Sequence, residues 1–191
     1  MNKILPVVAA ITMMGMAFTA CGQNNNKKTN AEMKTLVAYF SASGSTARLA
    51  QTFAAAADAA LYEIRPSVPY ERRDLNWMDK KSRSTVEMQD PNCRPALADK
   101  AAPVGETDVI FLGFPIWWYR EPSIIDSFLD AYDFTGKTVV PFFTSGGSQL
   151  GEGQGRIETL AKGAKVLNGR RFPARASERE LKDWIDSLNL A

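Results

Sequence analysis

Short apolar runs alternate with stretches of helical periodicity from residue 34 to the end of the chain, and that rhythm leaves few folds open. Strands are expected over 34–40, 60–65, 107–113, 137–143 and 164–168, and helices over 46–57, 122–132, 153–162 and 177–188. Alternation of this kind specifies a parallel sheet with helices on both faces, because parallel strands need long crossovers and those are usually helical. Runs such as Val109-Ile110-Phe111-Leu112 are apolar at every position, as strands covered on two sides must be. The helices rest on spacing and caps. Ile124, Ile125, Phe128, Leu129 and Tyr132 form one stripe behind Pro122, and Ser177 opens a second, with Leu181, Trp184, Ile185 and Leu188 as its buried face.

Two stretches break the rhythm. Pro141, inside Val139-Val140-Pro141-Phe142-Phe143, lacks the N–H that an inner strand needs, so a bulge or an early strand end is expected there. The section from Arg65 to Thr107 is too long for a simple connection and is expected to hold a short helix near Ser84 to Met88.

In open parallel sheets ligands sit beyond the carboxyl ends of the strands, where the winding direction changes. Three loops should meet there. Ser41-Ala42-Ser43-Gly44-Ser45-Thr46 follows a strand and opens a helix, a combination that aims backbone N–H groups, hydroxyls and a positive dipole end at one point. It has no lysine in the Gly-Lys-Ser/Thr arrangement and no Gly-x-Gly-x-x-Gly, so a single phosphate monoester suits it better than a nucleoside triphosphate or a dinucleotide. The same residues would also serve as a serine-rich turn capping a helix. The second loop, Gly113 to Pro122, carries Pro115, Ile116, Trp117, Trp118 and Tyr119, whose rings can stack on a flat heterocycle. Side chains of an extended loop point alternately, so Trp117 is expected to face the ligand with Trp118 or Tyr119 in support; an aromatic lid of the core is the alternative. The third loop, Thr144-Ser145-Gly146-Gly147-Ser148, lets backbone approach a planar ligand closely. Beyond it, Gly151-Glu152-Gly153-Gln154-Gly155 has the wrong spacing for a dinucleotide motif and is expected to be a flexible lead into the next helix.

Composition removes several chemistries. The chain of 191 residues has no histidine, which excludes Ser-His-Asp and Cys-His catalysis and histidine-ligated metals within it. Its formal net charge of +2, without a basic patch interleaved with aromatics, argues against nucleic acid as a partner. Only Cys21 and Cys93 are present, and Cys93 has no cysteine or histidine nearby to activate it.

The first residues form a separate unit. Lys3, the apolar stretch Ile4 to Phe18 and Thr19-Ala20-Cys21 resemble a bacterial lipoprotein signal peptide, with Phe18 where leucine is usual. On that likeness residues 1–21 are a leader and Cys21 becomes the lipidated N-terminus; a simple secretory signal or a transmembrane anchor is the alternative. Residues 22–33, rich in Asn, Lys and Thr, read as a flexible tether to a domain spanning 34–191. The expected location is the bacterial cell envelope, exported and membrane-anchored through the lipid.

From Lys34 to Leu188 the chain resembles flavodoxins. The likeness rests on Tyr39-Phe40-Ser41 through Thr46, Pro115-Ile116-Trp117-Trp118, Tyr132-Asp133-Phe134-Thr135-Gly136-Lys137 and Thr144-Ser145-Gly146-Gly147-Ser148 in that order, with Asp74-Leu75-Asn76-Trp77 to Ser82-Arg83-Ser84 and Asp90 to Leu97 in support. The resemblance implies a three-layer α/β/α sandwich with a five-stranded parallel sheet ordered 2-1-3-4-5, and FMN as cofactor. It places Ser41, Ser43, Gly44, Ser45 and Thr46 at the phosphate and Pro115, Ile116 and Trp117 along the isoalloxazine, and the loop's own pattern adds Trp118 or Tyr119 in support. Thr144, Ser145, Gly146 and Gly147 would close the other side or edge. The implied function is electron transfer; an FMN-dependent NAD(P)H or quinone oxidoreductase and a non-redox phosphate-ligand module are the alternatives. Trp77, Tyr70 and Arg83 would cover the flavin's open face or border a substrate pocket there; surface packing is the alternative. Flavodoxins serving soluble reductases are usually strongly acidic, and a nearly neutral, exported chain departs from that pattern, so redox proteins, quinones or NAD(P)H all stay open as partners.

Overall fold

A computed structural model describes residues 33–190. The leader 1–21 with Cys21, and the tether up to residue 32, lie outside the described residues. Strands β1 (Thr35–Tyr39), β2 (Ala60–Glu63), β3 (Val109–Pro115), β4 (Thr138–Thr144), β5 (Lys165–Val166) and β6 (Arg170–Arg171) alternate with helices. The helices are α1 (Ser45–Ala57), α2 (Arg83–Gln89), α3 (Ser123–Ala131), α4 (Gly153–Leu160) and α5 (Glu178–Ser187). All pairings are parallel and the order is β2-β1-β3-β4-β5, with β6 also on β4, so the expected sheet is confirmed.

The inner strands are apolar at every position because each face has its own core. Leu36, Ala38 and Phe40 join Ile110, Leu112, Phe114, Val139 and Phe143 against Ile124, Ile125 and Phe128 of α3 and Ile157 of α4. Val37, Tyr39, Val109, Phe111, Val140 and Phe142 face the other way, against Leu49 and Phe53 of α1 and Leu181 and Trp184 of α5. Successive side chains of a strand alternate between faces, so each strand feeds both cores at once.

Pro141 does not end or bulge its strand; it sits inside β4, paired with Leu112. The carbonyls of Lys137, Val139 and Phe143 accept from Lys165, Leu167 and Phe172 on the outer side of β4. By that alternation Pro141 also faces outward, where its missing donor meets the gap between β5 and β6. The interruption therefore falls on the neighbour: the expected strand 164–168 is cut short to β5, and pairing with β4 resumes only in β6, beyond the expected range. The Gln154 side chain fills the breach, donating from Nε2 to Leu167 O at 3.2 Å and accepting from Gly169 N at 3.1 Å.

Several other boundaries differ. Strand β3 continues past Gly113, the expected strand end, to Phe114 and Pro115, because Phe143 and Thr144 stay in register with them. Pro122 is the extended residue before α3 rather than part of its first turn. Gly153 and Gly155 are helical, not a flexible lead. A Cβ at Gly153 would come within 2.4 Å of Glu121 Oε2, so only glycine lets α4 approach that carboxyl. The short helix of the long section is α2, slightly longer than expected, and Pro66 bridges back to Leu97 to fold the section on itself.

Phe53 is the pivot of the α1 side, stacked 4.4 Å from Phe142 and set edge-on to Trp184 at 5.9 Å between centroids. Phe53→Ala should lower the unfolding free energy by about 3–5 kcal/mol, measured by chemical denaturation.

Candidate functional site

The carboxyl ends of β1, β3 and β4 are tied to one another. Phe40 N donates to Gly113 O and Ile116 N donates to Thr144 O, both at 2.9 Å. The hydroxyls of Thr46 and Thr144 share a buried hydrogen bond of 2.9 Å. The three loops expected to converge are therefore brought together. Thr46 is buried, so its hydroxyl pins the first loop to the third, while Ser43 and Ser45 stay exposed.

Gly44 takes φ +86°, a left-handed conformation natural to glycine, and its N–H donates to Ser41 Oγ at 3.1 Å. Helix α1 then begins without a side-chain cap, whereas Ser82 and Ser177 cap α2 and α5. An uncapped helix start carries free N–H groups and the positive end of the dipole, here beside three serine hydroxyls. A serine-rich capping turn is thus not what the loop forms.

The second loop is not extended. Trp117 and Arg120 exchange backbone hydrogen bonds at 3.0 and 3.1 Å, closing a tight turn in which Trp118 and Tyr119 have φ of +45° and +66°. Left-handed backbone at two consecutive bulky residues is strained, and strain of this kind collects at functional sites. The turn swings Trp118 and Tyr119 outward, where Tyr119 is 66% exposed, and leaves Trp117 half-buried. Trp117 meets Phe40 and Tyr70 edge-on, with centroids 5.8 and 5.4 Å away.

Tyr70 comes from the long section, and so does its support. Its hydroxyl donates to Glu87 Oε2, Arg83 Nε donates to Glu87 Oε1 at 2.6 Å, and the Arg83 guanidinium lies 4.0 Å over the Tyr70 ring. Burial first, and then the bond to Glu87, push the Tyr70 hydroxyl far above its ordinary range, so it stays protonated. Trp77 stands 70% exposed. Between these elements lies a cleft of about 460 Å³ walled by Leu75, Trp77, Ser84, Ile116, Trp117, Trp118, Tyr119 and Ser148. A second hollow of about 380 Å³ is lined by Tyr70 together with Phe40, Ser41 and Ala42. In the third loop Ser145 Oγ donates to Ser148 O at 2.5 Å and accepts from Gly147 N at 3.3 Å, leaving Gly146 and Gly147 exposed.

Residues that local sequence does not single out hold the turn in place. Arg120 donates to Glu121 O, Asp126 Oδ2 and Ser123 Oγ at 3.1, 3.3 and 3.2 Å. Arg156 of α4 donates to the same Asp126 oxygen at 2.7 Å, and Arg94 lies 3.6 Å from it. Glu121 is fully buried next to Asp126; Arg156 Nε is 3.2 Å from its Oε1 but out of hydrogen-bond alignment. Burial, then the charge of Asp126, push the Glu121 carboxyl up to about 8. Cys93 is half-buried, and burial followed by Glu87 pushes its thiol up, which keeps it unreactive. Among the described residues there is no cluster of metal-ligating side chains, and no helix is long and apolar enough to cross a membrane.

A family model described as flavodoxin matches residues 34–188. This chain belongs to the flavodoxin family. Among solved structures, this flavodoxin is similar to a candidate flavoprotein from Bacteroides uniformis, 47% identical, with 81% of this chain and 98% of the other covered and a TM-score of 0.76. A candidate flavoprotein from Bacteroides eggerthii is 45% identical, with 81% and 96% covered and a TM-score of 0.76. A Lactobacillus acidophilus flavoprotein in complex with FMN shares the fold at 23% identity, with 80% and 99% covered and a TM-score of 0.62. Comparison with curated proteins finds no match.

Glu121 gives this flavodoxin a pH dependence of its own. Its folded-state value lies above its unfolded value of 4.5, so rising pH ionises the unfolded chain first and stability falls between about 4.5 and 8. With no histidine in the chain, little else titrates in that window. Denaturation of the wild type should show a loss of up to about 4 kcal/mol from pH 5 to 8.5, and Glu121→Gln should flatten most of it.

Proposed function

We propose that this flavodoxin binds FMN between its three loops and carries electrons at a bacterial membrane surface. The observation that supports FMN is the uncapped, hydroxyl-ringed start of α1 on the same strand edge as an aromatic cleft. A phosphate monoester fits the first feature and a planar heterocycle the second, and FMN joins the two in one molecule. Ser43 and Ser45, with the first N–H groups of α1, would hold the phosphate; Ser41 and Thr46 shape the loop that presents them. Ile116, Trp117 and the backbone of Gly146 and Gly147 would bound the ring.

When bound, FMN supplies the redox chemistry. The chain's own part is to orient it, keep water from one side through Phe40, Tyr70 and Trp117, and set the charge around it. An apolar wall disfavours added negative charge, so the potential of bound FMN should lie below that of free FMN. Trp77 and Tyr119, both largely exposed, favour a second reading in which the outer face of the cleft admits a quinone or nicotinamide, making the protein an FMN-dependent oxidoreductase. Turnover of NAD(P)H with quinones, measured at steady state, separates that enzyme from a carrier.

Fluorescence titration tests the cofactor. The wild type should bind FMN, and the Ser43→Ala/Ser45→Ala pair should weaken FMN by about tenfold or more while leaving riboflavin, which has no phosphate, unaffected. Failure of the wild type to bind FMN would sink the proposal and favour a module for another phosphate ligand.

Location rests on the lipoprotein-like leader ending at Cys21. Full-length protein expressed in a bacterial host should partition into detergent, and Cys21→Ser should move it to the aqueous phase.

A further inference from the structure

Eight Ser and Thr side chains of the described residues are buried: Thr46, Ser82, Ser84, Thr85, Thr107, Ser123, Ser127 and Thr144. Thr46 and Thr144 bond each other, as do Ser82 and Thr85; Thr107, Ser123 and Ser127 donate to the carbonyls of Pro103, Glu87 and Ser123. Ser84 alone has no partner among the described residues, although it is only 2% exposed. It also lies in the wall of the aromatic cleft, beside Ile116 and Trp117.

The exception has no local cause. Ser84 belongs to α2, and α2 is held from several sides: by its Ser82 cap, by Arg83 and Tyr70 on Glu87, and by Ser123 Oγ donating to Glu87 O at 3.1 Å. A hydroxyl carried on so fixed a backbone cannot move to find a partner, and buried polar groups without one are rare in proteins. Where such a group lines a cleft walled mainly by aromatic and aliphatic side chains, with Ser148 as the other serine in the wall, it is the kind of polar contact that orients a ligand.

We infer that the Ser84 hydroxyl is a hydrogen-bond partner of the polar edge of the flavin ring, so that α2 in the long section, and not the three loops alone, builds the cofactor site. This rests on the FMN reading above. The polar edge of an isoalloxazine carries carbonyl oxygens, ring nitrogens and an N–H, and a hydroxyl can donate to the first two or accept from the third. The contact is to the ring and not to the phosphate, which separates it from the first loop.

The test compares two flavins on full-length Ser84→Ala. The variant should weaken FMN and riboflavin by the same factor, about 5- to 30-fold, while Tm of the flavin-free protein stays level or rises because no internal bond is lost. Unchanged affinity for both flavins overturns the inference, and so does a loss confined to FMN or a lowered Tm without flavin. A wild type that binds neither flavin removes the FMN reading and this inference together, whereas a Ser84→Ala protein that binds both like the wild type removes the inference alone.

Discussion

The continuous parallel register of β1, β3 and β4 is the constraint on which everything at the site depends. Thr35 to Tyr39 pairs residue by residue with Val109 to Gly113, and Val109 to Pro115 with Thr138 to Thr144. Because the strands run the same way, the loops that follow them leave from one edge. The backbone bonds from Phe40 to Gly113 and from Ile116 to Thr144 carry that alignment past the last core layer. A one-residue slip in any of these strands would exchange its two sets of apolar side chains between the cores, and both cores are filled by large rings and branched chains. Correct register is thus enforced by packing on both faces, and the site inherits its precision from the cores beneath it.

The parts of this design that were legible in the sequence are those with a short period. Apolar strands, amphipathic helices and hydroxyl or glycine loops at strand ends can each be recognised within about ten residues, and the parallel sheet follows from their order. Pro141 shows where such reasoning stops. Its missing donor is a real defect, but which strand absorbs it depends on which side Pro141 faces, and that is a property of the assembled sheet. The turn at Trp118 and Tyr119 was equally hidden, since neither residue favours left-handed backbone; the bonds between Trp117 and Arg120 and the anchoring of the Arg120 guanidinium outweigh the local preference. The partners of Asp126 come from positions 94, 120 and 156, a separation no local pattern reveals.

Those long-range contacts explain how a strained aromatic turn keeps one shape. Removing two charges from water is expensive, and a buried ion cluster is favourable only when its geometry is tight. Here one Asp126 oxygen is shared by Arg120 and Arg156, so α3, α4 and the turn are tied at a single point. Glu121, buried in the same cluster and without aligned partners, is the member that gives way, by holding its proton. The cluster thus trades some stability above about pH 4.5 for a defined position of Trp117, an arrangement in which the strain sits beside the cleft and its compensation lies one layer below.

The long section between β2 and β3 then has a different standing from an ordinary insertion. It supplies Tyr70 to the edge of Trp117, and Leu75, Trp77 and Ser84 to the wall of the cleft. Tyr70 and α2 are held by contacts within the section and to the sheet domain, Glu87 on Tyr70, Arg83 on Glu87 and Ser123 on the backbone of Glu87, and Arg94 ties the section to Asp126 and Asp130. Loops that build sites on this kind of sheet work best when a rigid scaffold fixes them. Here charge pairs and hydroxyls fix the middle of the section, while Ile64, Ala102 and Val104 bury its two ends in the core, so its aromatics can stay exposed while its inner surface keeps its place beside the strand ends. In the FMN reading the first loop would meet a charge that any phosphate carries, so discrimination among ligands would come from the wall that this section completes.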